Sequence, residues 1–269
     1  MTPSTIPAVL MRGGTSKGVF VHAADLPPPG PERDALVLSI MGSPDPMQID
    51  GLGGTHSSTS KLVAVEPGED GDDVRYWFAQ VGVDRAVVDW SGNCGNLTSA
   101  VGPFAIDEEL VEAVEPVTTV KLRNGNTGAA ILAQVQVQAG RVKYHGDYVV
   151  PGVPRAGAPI VTRYLDPVGS VFENHFPLGT ATSVLPGPDG DLEVSVVDVT
   201  HPYAFVCAGT LDLAIRDAAP HDLNRDLALL EQLELIRGAC AVALGRVDDP
   251  RQAAEQSAIV PRLVLVDEP

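Results

Sequence analysis

Apolar residues in this chain come in short runs separated by glycine, proline and hydroxyl side chains, a rhythm that predicts more strands than helices. Residues 9–10 and 19–21 predict strands on either side of a glycine turn, and residues 62–65 another. Residues 74–83 alternate and carry Tyr76, Trp77 and Phe78, which predicts a strand. Residues 117–122 and 131–137 predict a hairpin around Arg123-Asn124-Gly125-Asn126-Thr127-Gly128, where Asn-Gly is a strong turn signal. Residues 192–199, 203–207 and 259–266 predict the later strands.

Three stretches have helical character. Leu36 and Ile40 give residues 32–41 helical spacing. In residues 96–106, Leu97, Ala100, Val101, Phe104, Ala105 and Ile106 leave no polar face, as expected of a helix buried on all sides. Residues 222–244 read as one amphipathic helix, with Leu229, Leu233, Ile236, Cys240 and Leu244 on a stripe and Gly245 as its stop. Proline and glycine become frequent after Val149, which places a domain boundary between a first domain, 1–150, and a second, 151–269.

The stretches that cannot build a core are the more telling ones. Gly51-Leu52-Gly53-Gly54-Thr55-His56-Ser57-Ser58-Thr59-Ser60-Lys61 offers glycines that let backbone N–H groups converge, hydroxyl donors, and a lysine at the mouth of the next strand, which together predict an anion nest. Arg12-Gly13-Gly14-Thr15-Ser16-Lys17-Gly18 and Ser91-Gly92-Asn93-Cys94-Gly95-Asn96 have the same character. The last opens the buried helix with a cysteine, where free N–H groups and the positive dipole end bind anions and favour a thiolate. The three stretches are read as walls of one site.

Composition narrows the partners. With 269 residues, 44% hydrophobic, the chain can bury a sizeable core. A formal charge of −17 excludes the basic footprint that nucleic acid or an anionic membrane requires. Residues 1–61 carry only −1 of it, and two of the four lysines, Lys17 and Lys61, sit inside the donor-rich loops. No apolar run is long enough to span a bilayer, and residues 1–10 lack the start of a signal peptide. Three widely spaced cysteines argue for a reducing, cytoplasmic setting rather than a disulfide framework. P-loop, nucleophile-elbow and zinc motifs are missing.

Plainer readings stand beside these. Lys61 also reads as an exposed strand-end lysine, and local sequence does not separate the two. Cys207 and Cys240 sit in apolar contexts and read as small buried hydrophobes, whereas Cys94, among Asn93, Gly95 and Asn96, does not. Thr15, Ser16, Ser57, Ser58 and Thr59 taken singly are ordinary turn and cap residues.

At these clusters the chain resembles the PrpF family of cofactor-independent isomerases. The likeness rests on M-R-G-G-T-S-K-G from Met11, G-L-G-G-T-H-S-S-T-S-K from Gly51 and C-G-N-L-x-x-A-V-G-P-F-A-I from Cys94, and continues through R-N-G-N-T-G, G-A-P-I and L-D-P-V-G-S. The resemblance implies an α+β, diaminopimelate-epimerase-like fold: two β-barrel-type domains, each around a central helix, the first of these being the helix at 96–106. It also implies that Lys61 and Cys94 face a small anionic carboxylate, with Lys61 as the base. Two departures stand out, Pro177-Leu178-Gly179 where the family has P-T-G, and His201-Pro202 where it often has Asn-Pro. Family members also continue beyond the equivalent of Pro269 into a second central helix. A truncated second domain, exposed strand faces and association into homo-oligomers are therefore expected.

The expected chemistry is a 1,3-proton shift on an unsaturated di- or tricarboxylate, with neither metal nor organic cofactor. A lysine serving as base near neutral pH needs burial or a neighbouring cation to lower its pKa. Cys94 is the partner acid or shapes the opposite face. Thr15, Ser16, Lys17, Gly54, Ser57, Ser58, Thr59, Asn93, Gly95 and Asn96 hold carboxylates and the developing charge. The alternatives are a catalytically incompetent carboxylate-binding fragment, and an amino-acid epimerase or racemase, which requires two facing cysteines.

Overall fold

The computed structural model describes residues 5–169, 171–211 and 218–267. They fall into two compact units that divide between Asp166 and Pro167. The boundary expected after residue 150 lies inside the first unit, because residues 160–165 extend its sheet. Ser170, the last residue of the L-D-P-V-G-S stretch, lies outside the described residues.

In the first unit, β1 (Val9–Gly13) and β2 (Ser16–His22) form an antiparallel hairpin. Helix α1 (Pro31–Met41) has proline in its first turn and ends on Gly42 in the left-handed region at φ 76°, the arrangement that starts and stops helices cleanly. It crosses over to β3 (Lys61–Pro67), which lies parallel to β2. Next come β4 (Val74–Val81), the short β5 (Val88–Asp89), α2 (Gly95–Asp107), β6 (Val117–Asn124), β7 (Ala130–Gln138), β8 (Arg141–Val142) and β9 (Ile160–Leu165). All nine strands join one mixed sheet.

Strand alternation sorts this sheet into two cores. Phe20, Val63, Val65, Tyr76, Phe78, Val120, Leu122, Ile131, Ala133 and Val135 pack around the apolar α2, which makes it the central helix expected from the sequence. Val19, Val21, Leu62, Ala64, Ala79 and Val81 pack on the other side with Val37 and Met41 of α1. The same parity assigns the polar strand ends. Ser16, Lys61 and Gln80 belong to the α2 side, and Lys17 belongs to the α1 side.

The second unit has a four-stranded sheet in the order β10 (Ser183–Gly187), β11 (Gly190–Val199), β12 (His201–Cys207), β13 (Arg262–Val266). The helix expected over 222–244 is two helices, α3 (Pro220–Leu223) and α4 (Leu227–Ala243). The break comes at Asp226, whose side chain accepts the Leu229 N–H at 3.0 Å and so caps a new helix just ahead of the apolar stripe, which starts at Leu229. A short α5 (Ala253–Gln256) precedes β13. Ile236 and Cys240 of α4 pack on Leu192, Val194, Val196, Ala204 and Val206. Among the described residues no helix covers the opposite face of this sheet, the face of Val197, Tyr203, Phe205 and Cys207. No helix among them is long and apolar enough to cross a membrane.

Candidate functional site

The first glycine cluster is a tight hairpin rather than an open loop. Arg12 pairs with Lys17 and Gly13 with Ser16, leaving Gly14 and Thr15 as the turn. This turn presses on the start of α2. A Cβ on Gly13 would lie 2.3 Å from the Asn96 carbonyl oxygen, and one on Gly14, at φ +51°, 2.3 Å from Asn96 Oδ1. Only glycine permits both the approach and the turn. Asn96 Nδ2 then donates to Thr15 Oγ1 at 3.0 Å and to Ser16 Oγ at 3.3 Å.

Cys94 is the N-cap of α2, one position ahead of its first turn. Its thiol, half-buried, points at the buried Ser16 hydroxyl, Sγ to Oγ 3.9 Å. Its carbonyl accepts the Thr98 N–H at 2.9 Å, so the amides of Gly95, Asn96 and Leu97 are left as first-turn donors at the positive end of the helix. The segment is held from below by Asn93. Its Oδ1 receives the Cys94 N–H at 2.8 Å, Tyr76 Oη at 3.1 Å, Thr98 Oγ1 at 3.3 Å and Asn124 Nδ2 at 3.4 Å. Breaking one of these buried bonds costs about 1–3 kcal/mol through the partner left unpaired.

This network gives the Arg123–Gly128 stretch a role beyond a turn. Asn124 reaches Asn93, while its Oδ1 takes the Thr127 N–H at 2.8 Å. Asn126 bonds both the N–H and the carbonyl of Phe78, at 2.7 and 3.0 Å, as a neighbouring strand would. Tyr76, Thr98, Asn124 and Asn126 were not singled out as site residues from sequence. The repeated asparagines in R-N-G-N-T-G were the available signal.

Lys61 is almost fully buried, 7% exposed, on the α2 side. Its Nζ donates to Gln80 Oε1 and lies 5.2 Å from the centre of the Phe78 ring. The exposed strand-end reading is therefore excluded. Gln80 is in turn fixed by the carbonyls of Ser57 and Ser60, both at 3.1 Å. Lys61 and Cys94 thus belong to one side of one sheet, with Ser16 on the strand between β3 and the helix start.

The Gly51–Ser60 loop differs from the expected nest. Its organiser is Gln48, a buried residue whose Nε2 donates to Ser60 Oγ at 2.7 Å and whose Oε1 accepts the Thr55 N–H at 3.1 Å. Leu52 and Gly53 donate to the end of α1, Ser58 N–H to His56 Nδ1, and Thr59 N–H to the His56 carbonyl. Most of the loop amides are therefore already engaged, because the glycines let it fold back on itself rather than open outward. Those of Gly54, His56 and Ser57 have no such acceptor among the described residues. Lys17 ties this loop to the hairpin through its N–H to the Ser58 carbonyl, 3.0 Å, and its Nζ lies 3.1 Å from where a Gly54 Cβ would be. Lys17, Gly54 and Thr59 form a group on the α1 side, apart from Lys61 and Cys94.

The His201 departure has a structural setting. The ring is buried in the second unit, where Nε2 bonds the Ile259 carbonyl at 2.6 Å. Among the described residues no group of three or more His, Cys, Asp or Glu side chains is arranged to hold a metal ion.

Residues 4–269 match the family described as PrpF protein. The chain belongs to the PrpF family. A relative, 3-methylitaconate isomerase of Eubacterium barkeri, is 43% identical over 265 residues, covering 98% of this chain and 70% of the relative. The 4-oxalomesaconate tautomerase of Pseudomonas putida is 42% identical over 239 residues, 88% of this chain and 64% of that protein. The crystal structure of methylitaconate-delta-isomerase superposes with a TM-score of 0.74 at 43% identity, over 98% of this chain and 68% of that one. The PrpF assignment accounts for the three donor-rich clusters together, and the diaminopimelate-epimerase-like fold with them.

Proposed function

We propose that this chain is an isomerase that moves a proton between two carbons of a small unsaturated di- or tricarboxylate. The observation that carries this reading is the placement of the Lys61 amine, the Cys94 thiol and the first-turn amides of α2 on one side of one sheet. Lys61 takes a proton from a carbon allylic to the double bond, the electron pair spreads into the carboxylate-conjugated system, and Cys94 returns a proton at the far carbon. Gly95, Asn96 and Leu97 amides, with Thr15 and Ser16, receive a carboxylate where negative charge grows. Such a reaction moves only protons, so it calls on no redox partner. The three free cysteines fit a reducing, cytoplasmic setting.

The test is proton NMR in D2O with methylitaconate-, aconitate- and oxalomesaconate-type acids. Deuterium uptake at the allylic carbon, with conversion to the shifted isomer and its loss in Cys94→Ser, is expected for at least one of them. Saturable binding of these acids with no exchange in any would instead establish a carboxylate-binding protein without isomerase activity.

A further inference from the structure

One buried polar group in the first unit has no partner that explains it. Tyr164, on β9, packs against the same core as Cys94, and its hydroxyl is shielded from solvent with no hydrogen bond. It sits over the start of α2, since a Cβ on Gly95 would lie 3.5 Å from its Oη. Thr98 and Asn93 are near enough to draw the phenol's pKa down, and the thiol of Cys94 is near enough to push it up, but burial dominates and keeps it protonated. Neither neighbour meets the Tyr164 hydroxyl in hydrogen-bonding geometry. Asn93 Oδ1 already receives donors from Cys94, Tyr76, Thr98 and Asn124, and Thr98 Oγ1 is engaged with Tyr76 and the Cys94 carbonyl. A donor kept without an acceptor is costly unless one arises during function.

We propose that Tyr164 and Ser16 form a two-hydroxyl cradle for the Cys94 thiolate, with Tyr164 donating to the sulfur once the thiol has given up its proton. The inference rests on the reading of Cys94 as the proton donor. In that step the S–H bond breaks, its electron pair stays on sulfur, and the proton joins the substrate carbon using the delocalised pair of the substrate anion. The tyrosine keeps its own proton throughout. Ser16 is placed for the same task, because Asn96 donates to its oxygen and leaves its hydrogen free to turn towards Sγ at 3.9 Å. Tyr164 is thus a positioning residue that acts through Cys94.

The test compares Tyr164→Phe with the wild-type chain in two measurements. The first is the iodoacetamide alkylation rate of Cys94 at fixed neutral pH, read peptide by peptide, together with the ultraviolet absorbance of the thiolate corrected with Cys94→Ser. The second is kcat and KM for the isomerisation. Tyr164→Phe should slow alkylation and lower the thiolate signal roughly tenfold, as expected for loss of a hydrogen bond to a charged group. It should lower kcat similarly with little change in KM and no loss of thermal stability. A variant that alkylates at the wild-type rate with an unchanged thiolate signal would overturn the proposal. Alkylation needs no substrate, so a wild-type chain without turnover would sink the isomerase reading while leaving this one measured.

Discussion

The two units begin from the same module and differ in what is laid on it. In each, a tight antiparallel hairpin feeds a helix that crosses over to a strand parallel to the second hairpin strand: β1-β2-α1-β3 in the first, β11-β12-α4-β13 in the second. In each, the crossover helix covers one face of the sheet. The first unit covers the other face as well, with α2, and the start of α2 is where Cys94, Ser16, Asn96 and the asparagine network converge. Among the described residues the second unit has no such helix, and its cysteines lie elsewhere: Cys240 inside α4 and Cys207 exposed at the end of β12. Hairpin and crossover are thus shared by both units, and what sets the first apart is a helix start aimed at the strand ends, where the proposed chemistry would sit.

The largest effect should come from removing the amine that this arrangement buries. Lys61→Ala is expected to reduce allylic proton exchange by about a thousandfold, within the range of a lost general base. Substituting Arg262, which opens the strand that occupies the place of β3 in the second unit, should change exchange by less than about threefold by the same reasoning. NMR exchange rates measured side by side decide it. Equal losses in the two variants would mean that the module, rather than the α2 side, carries the chemistry.

The next test strikes the approach of hairpin to helix. In Gly13→Ala the new Cβ meets backbone atoms of Asn96 and Leu97, which cannot swing aside as a side chain tip could. Overpacking of this kind should cost about 1–3 kcal/mol in urea unfolding of the first unit. It should also move Asn96 off Ser16 and lower turnover. Gly187→Ala makes a milder contact in the second unit, with the Gly190 carbonyl oxygen 2.9 Å from the new Cβ against 2.3 Å at Gly13, and should leave turnover unchanged.

What sequence could and could not reveal follows the same division. Strands and the central helix were legible because alternation and an unbroken apolar surface are local patterns, as at residues 74–81 and 97–106. The special nature of Cys94 was legible because its neighbours are polar. The break before Leu227 was missed because the stripe from Leu229 to Leu244 does not say where the helix begins, and one aspartate side chain decides the cap. Gln48 and Tyr76 were missed because each acts through bonds to residues beyond its own neighbourhood, which nothing nearby marks, and Asn124 was marked only by the repeated asparagines around it. The Gly51–Ser60 loop was half legible. Its polarity was plain, but polarity does not distinguish donors turned outward from donors spent on Gln48 and His56.

A smaller contrast separates the buried thiol of the second unit from the site thiol of the first. Burial among α4 and its sheet pushes Cys240 up to about 11 from an ordinary 9.0. A pKa raised on folding contributes stability that is present below the unfolded value and is lost as pH rises through the folded one. Unfolding free energies in urea should therefore fall between about pH 9 and 11, by roughly 3 kcal/mol from this thiol, and Cys240→Ala should remove that share of the slope, leaving the share of the phenols of Tyr76, Tyr144 and Tyr164, which burial also pushes up. Cys240 should also resist iodoacetamide while Cys94 reacts. A slope of unchanged size in Cys240→Ala would place the titrating group elsewhere.

The smallest expected effect is the most diagnostic for chemistry. An epimerase of the two-cysteine kind needs a second thiol of the same standing as Cys94. Cys207 is the only remaining exposed candidate, because Cys240 is buried. Yet Cys207 lies at the end of β12 with the short 208–211 turn after it, and its carbonyl accepts the Thr210 hydroxyl at 2.7 Å. Among the described residues only a single short 3-10 turn, 208–211, follows it, not a long buried helix like α2, and the nearby Thr210 hydroxyl is spent on the Cys207 carbonyl rather than aimed at the sulfur. Cys207→Ser should therefore leave allylic exchange within about twofold of wild type, whereas loss of a positioned acid, as in Cys94→Ser, should cost about a hundredfold or more. The pair of rates, measured on one substrate under one condition, separates the two chemistries. A one-thiol proton shift predicts a wide gap, and comparable losses would return the two-cysteine reading and require that the second unit contribute to the reaction.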